Sequence, residues 1–222
     1  MASQTTPPTP GSPEPPVSRR GFLGTASALA AGALAAGAVG TFTAGAQAAT
    51  GAPAAGPAGL SPARWIWYPE GDPRSGAPAG HRYFRTSFTV AEGEVTDAQL
   101  VVTGDDSVDV WLNGKPLAAS PRAAQSWREA LYVDLRSAVT AGTNTIALAG
   151  RNEGGSAGVI GRIRVLTSGG TTDVVTDGRW SAGKDVPTGW EQPGFAAEGW
   201  PATRDLGGYG TAPWYARVAA PD

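Results

Sequence analysis

Apolar and polar residues alternate with a period of two in short runs along the chain beyond residue 80. No other feature constrains the fold as much. Phe84, Thr86, Phe88 and Val90 fall on one face, and Tyr83, Arg85, Ser87 and Thr89 on the other. Ala98, Leu100 and Val102 alternate with Asp97, Gln99 and Val101, and Val108, Val110 and Leu112 alternate with Asp109 and Trp111. Ile146 and Leu148 continue the pattern, and Ile163 and Val165 alternate with Arg162 and Arg164. A strand points successive side chains to opposite faces, so each run reads as a half-buried β-strand. The dipeptide Asn113-Gly114 between Leu112 and Lys115 suits a two-residue hairpin, whose central residues need positive φ. Ala141-Gly142-Thr143-Asn144 and Ser168-Gly169-Gly170 are further chain breakers. No helical period is sustained after the first fifty residues, and residues 133–139 have room for one helical turn at most. Short strands with frequent turns predict an all-β fold, an antiparallel two-sheet sandwich.

The start of the chain reads as an address rather than as fold. Residues 2–17 are rich in Pro, Thr and Ser and cannot build a core. Arg19 and Arg20 then precede Gly21-Phe22-Leu23, as in twin-arginine export signals, and an uncharged Ala/Gly-rich stretch follows. Ala46-Gln47-Ala48 offers the small-x-small pattern of signal cleavage. The expectation is a twin-arginine signal with a disordered leader over residues 1–48 and a flexible Ala/Gly/Pro tether over 49–60. A β-sandwich over 61–215 and a tail over 216–222 follow. The product is then secreted through the twin-arginine route and leaves the membrane once the signal is cleaved. A retained membrane anchor is the alternative, although so many Ala and Gly residues make a poor span.

Composition removes several classes of chemistry. Cysteine is absent, so disulfides, zinc thiolate sites and thiol nucleophiles are excluded. The formal net charge of −2 gives no basic surface for nucleic acid. The only histidine, His81, has no second His or Cys with which to hold zinc, and no Gly-x-Ser-x-Gly elbow is present. A chain of roughly 170 residues after the signal can bury a core by packing alone. Eight tryptophans are available for it. Trp65, Trp67, Trp180, Trp200 and Trp214 read as core or seam, and the aromatic clusters Trp65-Ile66-Trp67-Tyr68 and Pro213-Trp214-Tyr215 suggest that the two ends of the domain meet.

Several motifs in order carry a family resemblance. They are Trp65-Ile66-Trp67-Tyr68-Pro69, Arg82-Tyr83-Phe84-Arg85-Thr86-Ser87-Phe88, Thr103-Gly104-Asp105-Asp106 and Val110-Trp111-Leu112-Asn113-Gly114-Lys115. Gly142-Thr143-Asn144-Thr145-Ile146-Ala147, Asn152, Asp177-Gly178-Arg179-Trp180, Gly189-Trp190 and Tyr209-Gly210-Thr211-Ala212-Pro213-Trp214 follow. The series resembles the amino-terminal sandwich modules of bacterial α-L-rhamnosidases and related glycoside hydrolases. The resemblance implies a galactose-binding-like jelly roll. Some members bind L-rhamnose through calcium with an Asp-Asn pair where this chain has Asp105-Asp106. The second residue here keeps an oxygen ligand but adds negative charge. Other members serve only as spacers. In the hydrolases a helical barrel carrying the catalytic carboxylates follows the sandwich. The present sequence stops at Asp222, so the expectation is a module with no catalysis of its own.

The candidate site follows from loop chemistry. Asp105 and Asp106 lie between two predicted strands, and adjacent carboxylates suit a hard cation such as calcium. A solvated acidic turn is the alternative. Asn152 and Glu153 open a Gly154-Gly155-Ser156 loop, with metal ligation or hydroxyl recognition set against simple turn-making. Asp105, Asp106 and Asn152 are thus the candidate metal ligands, and Trp127 is a candidate stacking face for a sugar ring. Its competing role is to cap the core under a long loop. Trp111 is open between a surface platform and an inter-sheet contact. The leading function is a secreted, non-catalytic carbohydrate-binding module for rhamnose or a related sugar of a plant or cell-wall glycan, with a separate glycoside hydrolase as a partner. A structural or protein-interaction sandwich that has lost sugar binding is the alternative.

Overall fold

A computed structural model describes residues 59–219. The predicted export signal, with Arg19 and Arg20, and most of the predicted tether lie outside the described residues. The described chain forms eleven strands: β1 (Arg64–Trp67), β2 (Gly80–Val90), β3 (Val95–Asp105), β4 (Ser107–Leu112), β5 (Lys115–Ala119), β6 (Leu131–Asp134), β7 (Gly142–Asn152), β8 (Gly158–Thr167), β9 (Gly170–Val175), β10 (Ser181–Gly183) and β11 (Arg204–Gly208). One short 3-10 turn, Ser126–Arg128, interrupts the connection from β5 to β6. Within residues 133–139, Val133 and Asp134 complete β6 and one turn follows, in which Val139 N donates to Leu135 O at 3.0 Å, as much as the stretch had room for.

The strands make the expected antiparallel sandwich. One sheet runs β11-β1-β8-β3-β6, with β9 also paired to β8; the other runs β10-β2-β7-β4-β5. One edge of β8 is shared, because β1 meets it only at Val159 and β9 takes it from Arg162 to Thr167. The predicted inward faces hold. Phe84, Phe88, Val90, Ala98, Leu100, Val102, Val108, Val110, Leu112, Ile146, Leu148, Ile163 and Val165 are all buried between the sheets. Burying such faces is the main favourable term in folding. The β4–β5 hairpin turns at Asn113 (φ 52°) and Gly114 (φ 77°), the two positive values its short turn requires.

Two features depart from the alternation. First, β7 is buried on both sides from Asn144 to Gly150. Residues 184–201 fold back over the outside of the second sheet, where Trp190 covers Ala147 and Ala149 and gathers Tyr83, Trp111, Phe195 and Trp200. Trp111 is therefore neither a bare platform nor an inter-sheet contact: its ring meets Trp190 edge-on at 5.5 Å. Trp200 belongs to this outer cluster and not to the core. Second, the core reaches beyond both expected ends of the sandwich. Leu60, assigned above to the tether, is buried, as is Val218, assigned above to the tail. Both belong to the core cluster between the sheets. Ala219 also hydrogen-bonds across to Arg128 and Ala130, at 2.7 and 3.0 Å.

Candidate functional site

The chain changes sheets at a single residue. Asp105 ends β3 and pairs with Gly158 in the first sheet; Ser107 opens β4 and pairs with Arg151 in the second. Asp106 is the corner between them, so the two carboxylates leave the backbone in different directions. The peptide bond that joins them is cis.

Asp105 turns inward. It is 9% exposed, and its Oδ2 accepts a hydrogen bond from Trp214 Nε1 at 2.8 Å. Trp214 stacks on Trp65 with ring centroids 4.2 Å apart and planes 17° apart. Gly158 makes room for this stack, since a Cβ there would lie 2.9 Å from ring carbons of both tryptophans. Burial raises the Asp105 pKa from 3.8 to about 6; the Trp214 bond pulls it down, and the charge of Asp106 pushes it up.

Asp106 makes three hydrogen bonds, two to the end of β7 and one to the Ser126–Arg128 turn. Its N–H donates to Arg151 O at 2.8 Å, its carbonyl accepts from Ser126 Oγ at 2.8 Å, and its Oδ2 accepts from Glu153 N at 2.6 Å. Asn152, 1% exposed, closes β7. Its Nδ2 donates to Ala77 O and Pro78 O at 3.0 and 3.1 Å, which turns Oδ1 toward the next loop, where Gly154 N donates to it at 3.2 Å. The Glu153 side chain is exposed and pairs with Arg151 at 2.7 Å.

Trp127 sits in the 3-10 turn and is half-buried against the core. Its carbonyl accepts from Thr103 Oγ1 at 2.8 Å, and the exposed Arg128 guanidinium lies over its ring at 5.3 Å. Trp127 therefore caps the core, next to the Ser126 that bonds Asp106.

The rim therefore joins Asp106, Asn152, Glu153 and the Ser126–Arg128 turn, with Asp105 just beneath. Its side-chain donors are oxygens of the kind a hard cation takes. Among the described residues no group of three His, Cys, Asp or Glu side chains comes together. The three candidate metal ligands do not converge: Asp105 faces Trp214, Asn152 is turned onto Ala77 and Pro78, and only Asp106 stands at the rim, so a calcium ion there would need backbone carbonyls, water or the ligand for nearly all of its six to eight ligands. Sequence reasoning missed Trp214 as the partner of Asp105, and only its place in the closing aromatic cluster hinted at it.

Comparison with known proteins places this architecture. The family model for the β-galactosidase second all-β domain matches residues 61–156. An α-L-rhamnosidase of Streptomyces avermitilis is 33% identical over 164 residues, which cover 72% of this chain and 16% of that enzyme. The domain is an all-β module of the β-galactosidase/rhamnosidase type. The crystal structure of that Streptomyces avermitilis enzyme complexed with L-rhamnose superposes on the module with a TM-score of 0.68 at 32% identity, over 72% of this chain and 16% of the enzyme. A lectin from Pleurotus ostreatus in complex with GalNAc superposes with a TM-score of 0.65 at 28% identity, over 74% of this chain and 48% of the lectin. The module thus spans 16% of the length of its rhamnosidase relative.

Proposed function

We propose that this module recognises carbohydrate without catalysis, at the rim formed by Asp105, Asp106, Asn152, Glu153 and Trp127. The observation that carries the reading is the threefold anchoring of Asp106. One residue ties the ends of β3 and β7 and the Ser126–Arg128 turn into a fixed surface, so little ordering is left to oppose binding. The likeness to a lectin solved with GalNAc and to an enzyme solved with L-rhamnose supports the class of ligand. Asp106 and Glu153 oxygens accept from sugar hydroxyls, and Trp127 offers an apolar ring to the C–H face of the sugar. Any calcium at this rim would rest on Asp106, with backbone carbonyls, water and the sugar's vicinal hydroxyls completing its ligands, because Asp105 and Asn152 are bonded into the protein. The twin-arginine-like motif at Arg19 and Arg20 supports recognition outside the cell, with a separate glycoside hydrolase acting on the same glycan as the proposed partner.

Calorimetric titration with L-rhamnose and with N-acetylgalactosamine, in calcium and in chelator, tests the reading. Saturable binding in the micromolar to millimolar range is expected for so shallow a surface. Absence of heat with both sugars in calcium rejects it.

A structural role is the second reading, and a specific observation favours it. Asp105 accepts a hydrogen bond from Trp214, and Asn152 donates to Ala77 O and Pro78 O, so both side chains are engaged inside the protein. In that case substitutions at the rim change stability alone.

A further inference from the structure

A cleft of about 270 Å³ opens along β10, lined by Tyr68, Gly183, Lys184, Asp185, Trp200 and Pro201 among others. It shares no residue with the rim. Its floor is fixed. Ala182 N donates to Pro201 O at 2.8 Å, and Ser181 bridges Ala202. Gly183 lets the Trp200 ring lie against the strand, because a Cβ there would fall 2.8 Å from two of its ring carbons.

Both aromatic walls are held from behind. Trp200 stacks on Trp190 at 6.3 Å and meets Phe195 edge-on at 5.6 Å, and Trp190 is itself braced by Tyr83 and Trp111 at 5.0 and 5.5 Å. Tyr68 carries the Arg82 guanidinium over its ring at 5.9 Å, and that guanidinium is buried and paired to Glu70 at 2.6 Å. Tyr68 and Trp200 nevertheless remain half-exposed, and Lys184 and Asp185 beside them are exposed.

These properties select a ligand class. Lys184 and Asp185 carry opposite charges, so the cleft offers no net attraction to an ion of either sign. Pre-set aromatic faces favour a ligand with an apolar side, and the flanking charged groups favour one with hydroxyls. A pyranose ring has both. The volume falls below the roughly 300–1,000 Å³ of drug-sized pockets and suits one ring. We propose that this cleft is a second saccharide subsite, with Trp200 and Tyr68 as its apolar walls and Lys184 and Asp185 as its hydroxyl partners. It takes its class of ligand from the reading of the rim but none of its residues, and the module would hold a glycan at two points.

The test is a chemical-shift titration of the full chain with L-rhamnose and with N-acetylgalactosamine, following the eight tryptophan indole N–H signals. Two sets of saturating shifts are expected, with the Trp200 indole in one of them. Trp200→Ala should weaken that set at least tenfold and leave the other unchanged, and Asp106→Ala should do the reverse. Tyr68→Ala and Lys184→Ala, at half-exposed and exposed positions, replace Trp200→Ala if it does not fold. If these cleft variants bind as the parent does and Asp106→Ala removes all binding, the second subsite is wrong and the rim stands. If Asp106→Ala changes nothing while the cleft variants abolish binding, the rim fails and the cleft stands. If no indole shifts with either sugar, both fall.

Discussion

Trp214 donates its indole N–H to Asp105 Oδ2 at 2.8 Å while its ring lies flat on Trp65. A residue near the C-terminal end of the domain thereby grips the end of β3, and the first strand supplies the surface it rests on. The bond directs one carboxylate of the Asp105-Asp106 pair inward and leaves only Asp106 to tie the rim loops.

The first prediction concerns pH. Burial lifts the Asp105 pKa from 3.8 to about 6, so between those values the folded chain holds a proton that the unfolded chain has released. Stability therefore contains a contribution that is complete below about pH 4 and is lost as pH rises through about 6, worth about 2–3 kcal/mol. Asp105→Asn removes the charge and keeps an acceptor for Trp214. In calcium-free buffer the variant should match the parent near pH 4 and be the more stable at pH 7. Urea melts at both pH values check this; a parent whose stability rises from pH 4 to pH 7 relative to the variant contradicts it.

Gly158→Ala should destabilise the domain by about 1–3 kcal/mol, the usual cost of overpacking. The added methyl meets Trp65 and Trp214 together at 2.9 Å, and both rings are buried. A lowered thermal midpoint with weakened near-ultraviolet tryptophan circular dichroism is expected. An unchanged midpoint would mean that the stack is looser than its 4.2 Å centroid spacing indicates.

These relationships differ in how far the sequence revealed them. The alternation at Phe84–Val90 and Val108–Leu112 and the turn at Asn113-Gly114 are local signals, and they survive folding intact. The meeting of Trp65 and Trp214 was legible because two aromatic clusters bracket the domain. The double-sided burial of β7 was not: Ala147 and Ala149 give no hint of the Trp190 that covers them from about forty residues away. The opposed directions of Asp105 and Asp106 were equally hidden. They follow from β3 and β4 pairing with strands of different sheets, and partner choice is not written into either strand alone.

Asp106 can be dissected by two substitutions. Asp106→Ala removes the acceptor for Glu153 N and should cost about 1–3 kcal/mol of stability as well as sugar binding. Asp106→Asn keeps an acceptor and removes a charge next to Asp105, a charge that helps to raise the Asp105 pKa. That variant should hold the rim together, and its Asp105 should titrate at lower pH than in the parent. Carboxyl carbon shifts followed through a pH titration, with a thermal melt of each variant, separate the two effects. Equal destabilisation by Ala and Asn would mean that the acceptor at Asp106 is not what fixes the loops.

Arg128 offers the most direct test of the sugar-stacking role of Trp127. Its guanidinium lies 5.3 Å over the ring, and Arg128 itself is exposed, so a sugar ring arriving from solvent must displace it. A cation–π contact at an exposed site is worth about 0.5–1 kcal/mol. Arg128→Ala gives up that contact before the ligand arrives and leaves the indole open. Affinity for L-rhamnose or N-acetylgalactosamine should rise two- to fivefold, the equivalent of about 0.5–1 kcal/mol. Trp127→Ala should instead abolish binding at the rim. If titration shows Arg128→Ala binding more weakly than the parent, the guanidinium is itself a ligand contact and Trp127 is a core cap alone.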